Sequence, residues 1–230
     1  MGTIENGLQA VKSRVARAAA SAGRSDREIV LVAVSKGQSA RAVRTAYMAG
    51  QRDFGENYAQ EAASKMAELA DLAITWHFIG PIQSNKTRTI AERFQWVQSI
   101  DRLKAAERLA SHRSGAGRAP LQVCVQVNVS GEQSKSGCRA EEVPGLARAV
   151  AQLPGLRLRG LMAVPEATSD EALLRARFGA VRAQLEALRR DGLDVDTLSL
   201  GMSADLDLAI ESGSTMIRVG TAIFGERSKA

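Results

Sequence analysis

Two rhythms of apolar and polar positions alternate along the chain. Ile4, Leu8, Val11 and Val15 recur at helical spacing behind Thr3, a residue suited to capping, which predicts an amphipathic helix over 3–22. A polar connector over 21–27 leads into the aliphatic run 29–36, which ends in Lys36 and is stopped at once by Gly37. A run of that composition reads as a strand buried on both faces. Thereafter helices are predicted over 40–48 and 59–72, from about Ser84, and up to His112 behind Asp101 as cap. Strands are predicted over 51–55, 76–80 and 96–100. Residues 121–129 give the cleanest period of two, with Val123, Val125, Val127 and Val129 on one face and Gln122, Cys124, Gln126 and Asn128 on the other. Beyond it follow a helix over 141–153, a strand over 156–164, a helix over 171–190, a strand over 197–201, a helix from near Ser203 and a strand over 216–220.

Eight short strands alternating with helices, with no long linker or composition break, predict one α/β domain over 1–230, a single (β/α)₈ TIM barrel. The barrel occupies 29–225, and 1–28 supply an extra N-terminal helix and connector. Only ten residues follow the last predicted strand, too few for an outer helix, so the N-terminal helix is expected to fill that place in the ring. The alternative is a doubly wound open sheet, weakened by the lack of a glycine-rich dinucleotide turn after the first strand. In a barrel the valine face of 121–129 suits the helices, which turns Gln126 and Asn128 inward to find hydrogen-bond partners. For Gln126, networks between strands are the expected partners.

Composition narrows the setting. A hydrophobic share of 45% and a charged share of 24% are ordinary for a globular domain. No apolar run approaches the roughly 20 residues of a membrane helix, so no membrane association is expected. The first residues contain no apolar core like that of a signal peptide. Cys124 and Cys138 have no metal-ligand spacing and offer no disulfide framework, which makes a reducing cytoplasm the expected location. The net charge of +6 raises the question of nucleic acid. However, the two Trp, two Tyr and five Phe do not interleave with basic clusters as a stacking platform would. Arg175, Arg177, Arg182, Arg189 and Arg190 read as the solvated face of one helix. An anionic small ligand suits the charge equally well, and nucleic acid is not an expected partner.

Chemistry in such a barrel belongs to the C-terminal strand ends. Lys36 shares a strand face with Val34, Val32 and Val30, which places its ammonium at the rim over an apolar wall. Desolvation of that kind lowers a lysine pKa and frees the amine to form a Schiff base with a carbonyl. The plainer reading is a lysine that simply reaches solvent. Arg218 interrupts an apolar strand, and a buried arginine must be paired. Its partner is either an inward carboxylate, Asp53 or Glu56, or the acceptor atom of a ligand. After the seventh strand, Gly201 and Ser203 make a turn that directs N–H groups and a hydroxyl at one spot, and Gly220-Thr221-Ala222 repeats it after the eighth. Barrels often bind phosphate there, whereas an ordinary serine cap is the alternative. His77, in mid-strand, suits a core position, and Asn57 suits a turn or the flank of a ligand.

An imine-forming lysine, two phosphate turns and a buried arginine together suggest pyridoxal 5′-phosphate (PLP). The motifs sharpen this: Val34-Ser35-Lys36, Phe54-Gly55-Glu56-Asn57-Tyr58, the run 76–86 (WHFIGPIQSNK), Ser134-Lys135-Ser136-Gly137, Gly160-Leu161-Met162-Ala163, 199–205 (SLGMSAD) and 218–225 (RVGTAIFG). They resemble the pyridoxal phosphate homeostasis protein family over about 29–225, whereas the loop at 110–120 and the C-terminal tail carry no family signal. The resemblance implies a barrel similar to the N-terminal domain of bacterial alanine racemase, with Lys36 holding PLP as a Schiff base. It implies Ser203, Gly220 and Thr221 at the phosphate, Arg218 at the pyridine nitrogen, and Asn57, His77 and Met202 lining the cofactor more loosely. It further implies a monomer that manages PLP supply and amino-acid and keto-acid balance, with PLP-dependent apoenzymes as acceptors and no efficient turnover. Two other readings are a PLP-dependent amino-acid racemase or related enzyme, and a Schiff-base aldolase without cofactor. The motifs favour the PLP readings. Alanine racemase carries a further β domain that this chain is expected to lack.

Overall fold

The first helix, α1 (Ile4–Ser21), begins where its cap dictates, with the Thr3 hydroxyl accepting from the Asn6 amide at 3.3 Å. A computed structural model of the chain describes residues 3–131 and 136–225. After α1 the elements are β1 (Val30–Val34), α2 (Ala40–Met48), β2 (Asp53–Glu56), α3 (Ala59–Glu68), β3 (Thr75–Phe78), α4 (Thr87–Arg93) and β4 (Trp96–Ile100). They continue with α5 (Leu103–Gly115), β5 (Leu121–Val127), α6 (Val143–Ala151), β6 (Leu156–Ala163) and α7 (Glu171–Arg190). The last are β7 (Thr197–Ser199), α8 (Leu206–Glu211), β8 (Met216–Val219) and α9 (Thr221–Phe224).

All eight strands run parallel in sequence order and close into a barrel. β8 returns to β1 with Val30 opposite Met216 and Ala33 opposite Val219. The predicted (β/α)₈ barrel is therefore the fold, and the open sheet is excluded. Val123, Val125 and Val127 belong to the core shared with the helices, whereas Cys124, equally buried, lies outside that core, on the lumen side. α1 takes the vacant place in the helical ring, packed against α2, α8 and α9. Gly7 makes the approach to α9 possible, because a Cβ there would lie 2.7 Å from the Ile223 carbonyl oxygen. Gly160 is equally constrained: it sits at φ +153, and a Cβ would meet the Thr197 carbonyl oxygen at 1.8 Å.

Several local expectations are corrected. β1 ends at Val34, which leaves Ser35 and Lys36 just beyond the strand. β7 ends at Ser199 and α8 starts only at Leu206, so Ser203 stands in a turn. There the Met202 amide donates to Asp205 Oδ1 at 2.6 Å and Gly201 takes φ +93. That side-chain-to-backbone bond competes with an earlier helix start. Asp101 does not cap α5; it pairs with Arg102 at 2.7 Å, and Arg102 occupies the cap position. Gln126 donates to the Ser136 carbonyl at 3.3 Å, a loop contact in place of the strand network expected. Cys124 and Cys138 are free and buried, and burial pushes each thiol up to about 12. Ser134 and Lys135 of the quoted motif lie outside the described residues. No helix among the described residues is long and apolar enough to cross a membrane.

Candidate functional site

Lys36 leaves the end of β1 half-buried, and the backbone on both sides of it is fixed by one buried ionic cluster. Ser35 donates its hydroxyl to Glu56 Oε1 at 2.6 Å. From α3, Lys65 Nζ donates to the Ser35 carbonyl at 2.8 Å, to Glu56 Oε1 at 2.5 Å and to Glu61 Oε1 at 3.1 Å. Glu61 Oε1 also accepts the Gly37 amide at 2.7 Å. The Lys65 and Glu56 side chains are 4% and 0% exposed. Burial raises the Glu56 carboxyl above the usual range, against the pull of Lys65, and its Oε2 is buried without a hydrogen-bond partner. Gly37 at φ +72 then turns the chain away.

Across from Lys36 the ends of β7 and β8 complete a cavity of about 330 Å³, lined by Val34, Lys36, Gln38, Met202, Ser203, Ala204, Arg218, Gly220, Thr221 and Gly225. The Ser203 turn is tied to the N-terminal helix. Arg14 donates to the Ser203 carbonyl at 2.6 Å and pairs with Asp207 at 2.5 Å. At the other wall, Gly220 brings the end of β8 so close to β1 that a Cβ would lie 3.2 Å from the Val34 carbonyl oxygen.

Arg218 is 5% exposed. The ion pair considered with Asp53 or Glu56 is not formed: Glu56 is taken by Lys65, and Asp53 by His77. Arg218 instead donates to Ser199 Oγ at 2.5 Å and to the Ala163 carbonyl at 2.9 Å. A guanidinium has five N–H donors, so these two bonds leave others for the cavity it lines. Burial lowers its pKa to about 10, which still leaves a cation at neutral pH.

The structure thus brings Lys36, Met202, Ser203, Arg218, Gly220 and Thr221 to one cavity and sets two expected residues apart. His77 is fully buried inside the barrel and stacked on Trp96 at 5.4 Å between centroids. Burial depresses its pKa, and the bond to Asp53 works against that. Asn57 lies between β2 and α3 and lines a separate pocket of about 130 Å³ with Tyr58, Phe78 and Lys86. Gly80 lies against its backbone, where a Cβ would be 2.2 Å from the Asn57 carbonyl oxygen. Sequence reading missed Gln38 in the lining and the Lys65–Glu61 part of the clamp. On the sequence, Glu61 and Lys65 look like any solvated helical pair at four-residue spacing.

Comparison with known proteins gives the family and the fold. The family model for the alanine racemase N-terminal domain matches residues 7–228. The pyridoxal phosphate homeostasis protein of Pseudomonas aeruginosa is 59% identical over 227 residues, covering 99% of this chain and 97% of that one. The structure of PipY from Synechococcus elongatus with PLP bound superposes with a TM-score of 0.82 at 39% identity, over 92% of this chain and all of that one. Alanine racemase from Corynebacterium glutamicum shares the fold alone, with a TM-score of 0.72 at 18% identity over 95% of this chain and 62% of that one. On the strength of a full-length match at that identity, the chain belongs to the pyridoxal phosphate homeostasis protein family and carries a domain of the alanine racemase N-terminal type.

Proposed function

We propose that this chain binds PLP in the cavity between the ends of β1, β7 and β8, and that it serves cytoplasmic PLP homeostasis rather than efficient catalysis. One observation carries the reading: an amine, two hydroxyls and a buried cation that no carboxylate among the described residues hydrogen-bonds line the same small cavity. Its volume of about 330 Å³ is near the lower end of the roughly 300–1,000 Å³ typical of ligand pockets. The names of the relatives, and the PLP in the PipY structure, point the same way.

When bound, the cofactor supplies an aldehyde that an amine can capture and a ring that withdraws electrons. Lys36 is the capturing amine, held at the rim by the Glu56–Lys65–Glu61 cluster. Ser203 and Thr221 offer hydroxyls, and Gly220 an unobstructed backbone, to the phosphate. Met202, 38% exposed, adds an apolar side chain to the lining. Arg218 would be the donor for the ring nitrogen and would not surrender a proton to it, because a guanidinium stays charged at neutral pH. Such a partner would leave the ring a weak electron sink, which would favour holding the cofactor over amino-acid chemistry. Asn57 bounds the rim next to β3, and His77 acts from inside the barrel. The natural acceptors of the cofactor are apoenzymes that require it.

Equilibrium dialysis of PLP against pyridoxal tests the site, and recovery of activity by a PLP-requiring apoenzyme mixed with the loaded protein tests the role. The expected result is that PLP binds at least tenfold more tightly than pyridoxal and that the apoenzyme recovers activity. Equal binding of the two would remove the phosphate site, and failure to reactivate any apoenzyme would remove the supply role.

A further inference from the structure

Behind Arg218, the interior of the barrel holds a line of polar side chains that do not themselves line the cavity. Arg218 Nη1 lies 2.5 Å from Ser199 Oγ. Ser199 Oγ lies 2.7 Å from Gln98 Oε1. Gln98 Nε2 lies 3.0 Å from His77 Nδ1, and His77 Nε2 lies 2.9 Å from Asp53 Oδ1. The line starts at the third residue of β8, crosses the lumen through β7, β4 and β3, and ends at the first residue of β2. It therefore joins the cavity end of the barrel to the opposite mouth, where the Asp53 side chain is 29% exposed. Ser199, Gln98 and His77 are buried, with no exposure above 0%.

Chemistry dictates where each proton in this line sits. A guanidinium can only donate, so Ser199 Oγ must accept from Arg218 and pass its own hydrogen to Gln98 Oε1. The Gln98 amide is then fixed with Nε2 toward His77. Its second amide hydrogen points to Met216 Sδ at 3.1 Å, another acceptor, which agrees with that orientation. His77 Nδ1 must accept, so the imidazole is neutral and carries its proton on Nε2, directed at Asp53. Every donor points the same way, from the buried cation to the carboxylate. Aligned hydrogen bonds in a low dielectric polarise and strengthen one another.

The structure assigns His77, Gln98 and Ser199 as positioning residues that hold the Arg218 guanidinium toward the cavity, with the Asp53 carboxylate as the acceptor that closes the line. As a statement about cofactor binding this rests on the PLP reading above; as a statement about proton placement it does not. The line orients but does not conduct protons, because the amide of Gln98 cannot accept a proton on one side and release it on the other without becoming an imidic acid. It also forbids an imidazolium at His77. A second proton on Nδ1 would face the Gln98 amide, and turning that amide would take the acceptor away from Ser199 and so unseat Arg218.

Nitrogen-15 NMR on the full-length protein, prepared without cofactor, tests the line directly. The expected result is a neutral His77 with its proton on Nε2 throughout the range where a solvated histidine titrates, near pH 6.5. Distinct, slowly exchanging Arg218 Nη signals are expected beside it. In Asp53→Leu the Nε2 preference should be lost and Arg218 exchange should quicken. Asp53→Asn, which can still present an oxygen to His77, should restore both. Titration of PLP into the same proteins should show affinity three- to tenfold weaker in Asp53→Leu and near parental in Asp53→Asn. An Nδ1-protonated or charged His77 in the parent overturns the assignment, and so does an Asp53→Leu protein with unaltered His77 and Arg218 signals. A parent with the expected signals but no affinity for PLP would instead remove the PLP reading and leave the hydrogen-bonded line standing. If Asp53→Leu does not fold, Ser199→Ala, a smaller deletion at the Arg218 end, must release the Arg218 signals; if they stay, the assignment fails.

Discussion

Replacing Lys65 by methionine, which fills similar space without charge, should reveal how strongly the clamp beside Lys36 depends on its ion pair. The substitution deletes the bonds to the Ser35 carbonyl, Glu56 and Glu61. Glu56, 0% exposed, keeps only the Ser35 hydroxyl for its charge. Breaking a buried pair from one side costs about 3–5 kcal/mol, because the remaining charge is uncompensated. The Glu61 contact adds little, since that side chain is 33% exposed and solvent screens it. A loss of this size is a large part of the roughly 5–15 kcal/mol that stabilises a domain. Urea unfolding should show the midpoint fall with the slope unchanged. The pH dependence has a defined sign. Burial already raises Glu56 above its unfolded value, and without Lys65 the native carboxyl rises further. The variant's native state binds the additional proton between its own native value and the lower, already raised value of the parent. The variant therefore gains stability relative to the parent as pH falls through that interval, and the gain is complete above the unfolded value of about 4.3. Adding Glu56→Gln should recover most of the loss, as no orphan charge remains. A loss below about 1 kcal/mol, or a deficit that ignores both pH and Glu56→Gln, would refute the reasoning.

The other predictions concern the site and its support. Arg14→Ala removes the bonds to the Ser203 turn and Asp207; these groups are partly solvated, so PLP affinity by titration should fall only about two- to fivefold, and a larger loss would mean that Arg14 does more than hold the turn. Burial keeps His77 neutral in the fold while the unfolded chain takes up a proton below about pH 6.5, so parental stability should fall with falling pH by up to about 1.4 kcal/mol per unit from this group. In His77→Gln that component of the slope disappears, and parallel pH profiles for the two proteins would contradict it. Amino acids should not be racemised efficiently, because two-base racemisation needs a proton-transfer group on each face of the substrate. Among the described residues Tyr58 lines a different pocket and His77 lies inside the barrel, which leaves Lys36 alone. Chiral chromatography after incubation with single enantiomers checks this, and several turnovers per second, lost in Tyr58→Phe, would contradict it.

Periodicity carried much of this fold. α7 has the predicted bounds because its apolar stripe, Leu174, Phe178, Val181, Leu185 and Leu188, is long and unbroken, and β4 also has the predicted bounds. α1 and α2 follow from Thr3 and Ser39, whose hydroxyls accept the amides of Asn6 and Ala42. The sequence reading runs two strands past Val34 and Ser199, although the Ser35 and Leu200 amides still reach the Gly55 and Met216 carbonyls of the neighbouring strands. The convergence of Lys36, Ser203, Arg218, Gly220 and Thr221 was legible because a barrel brings all C-terminal strand ends together. What sets Lys36 in place was not. Lys65 becomes buried, and joins Glu61 in a clamp, only when α3 packs on the end of β1, and four-residue spacing says nothing of that burial. The partner of Arg218 was also illegible, since Ser199 and Gln98 meet across the lumen from strands separated by 101 positions in sequence.

The most direct test of the central claim is to load the protein with PLP, reduce it with borohydride, digest it and map the modified peptide. The structure predicts a yellow protein whose colour is discharged by reduction, with one pyridoxyl group on Lys36 and no fixed cofactor in Lys36→Ala. Modification at another lysine, such as Lys86 in the neighbouring pocket, or equal labelling of Lys36→Ala and the parent, would contradict it.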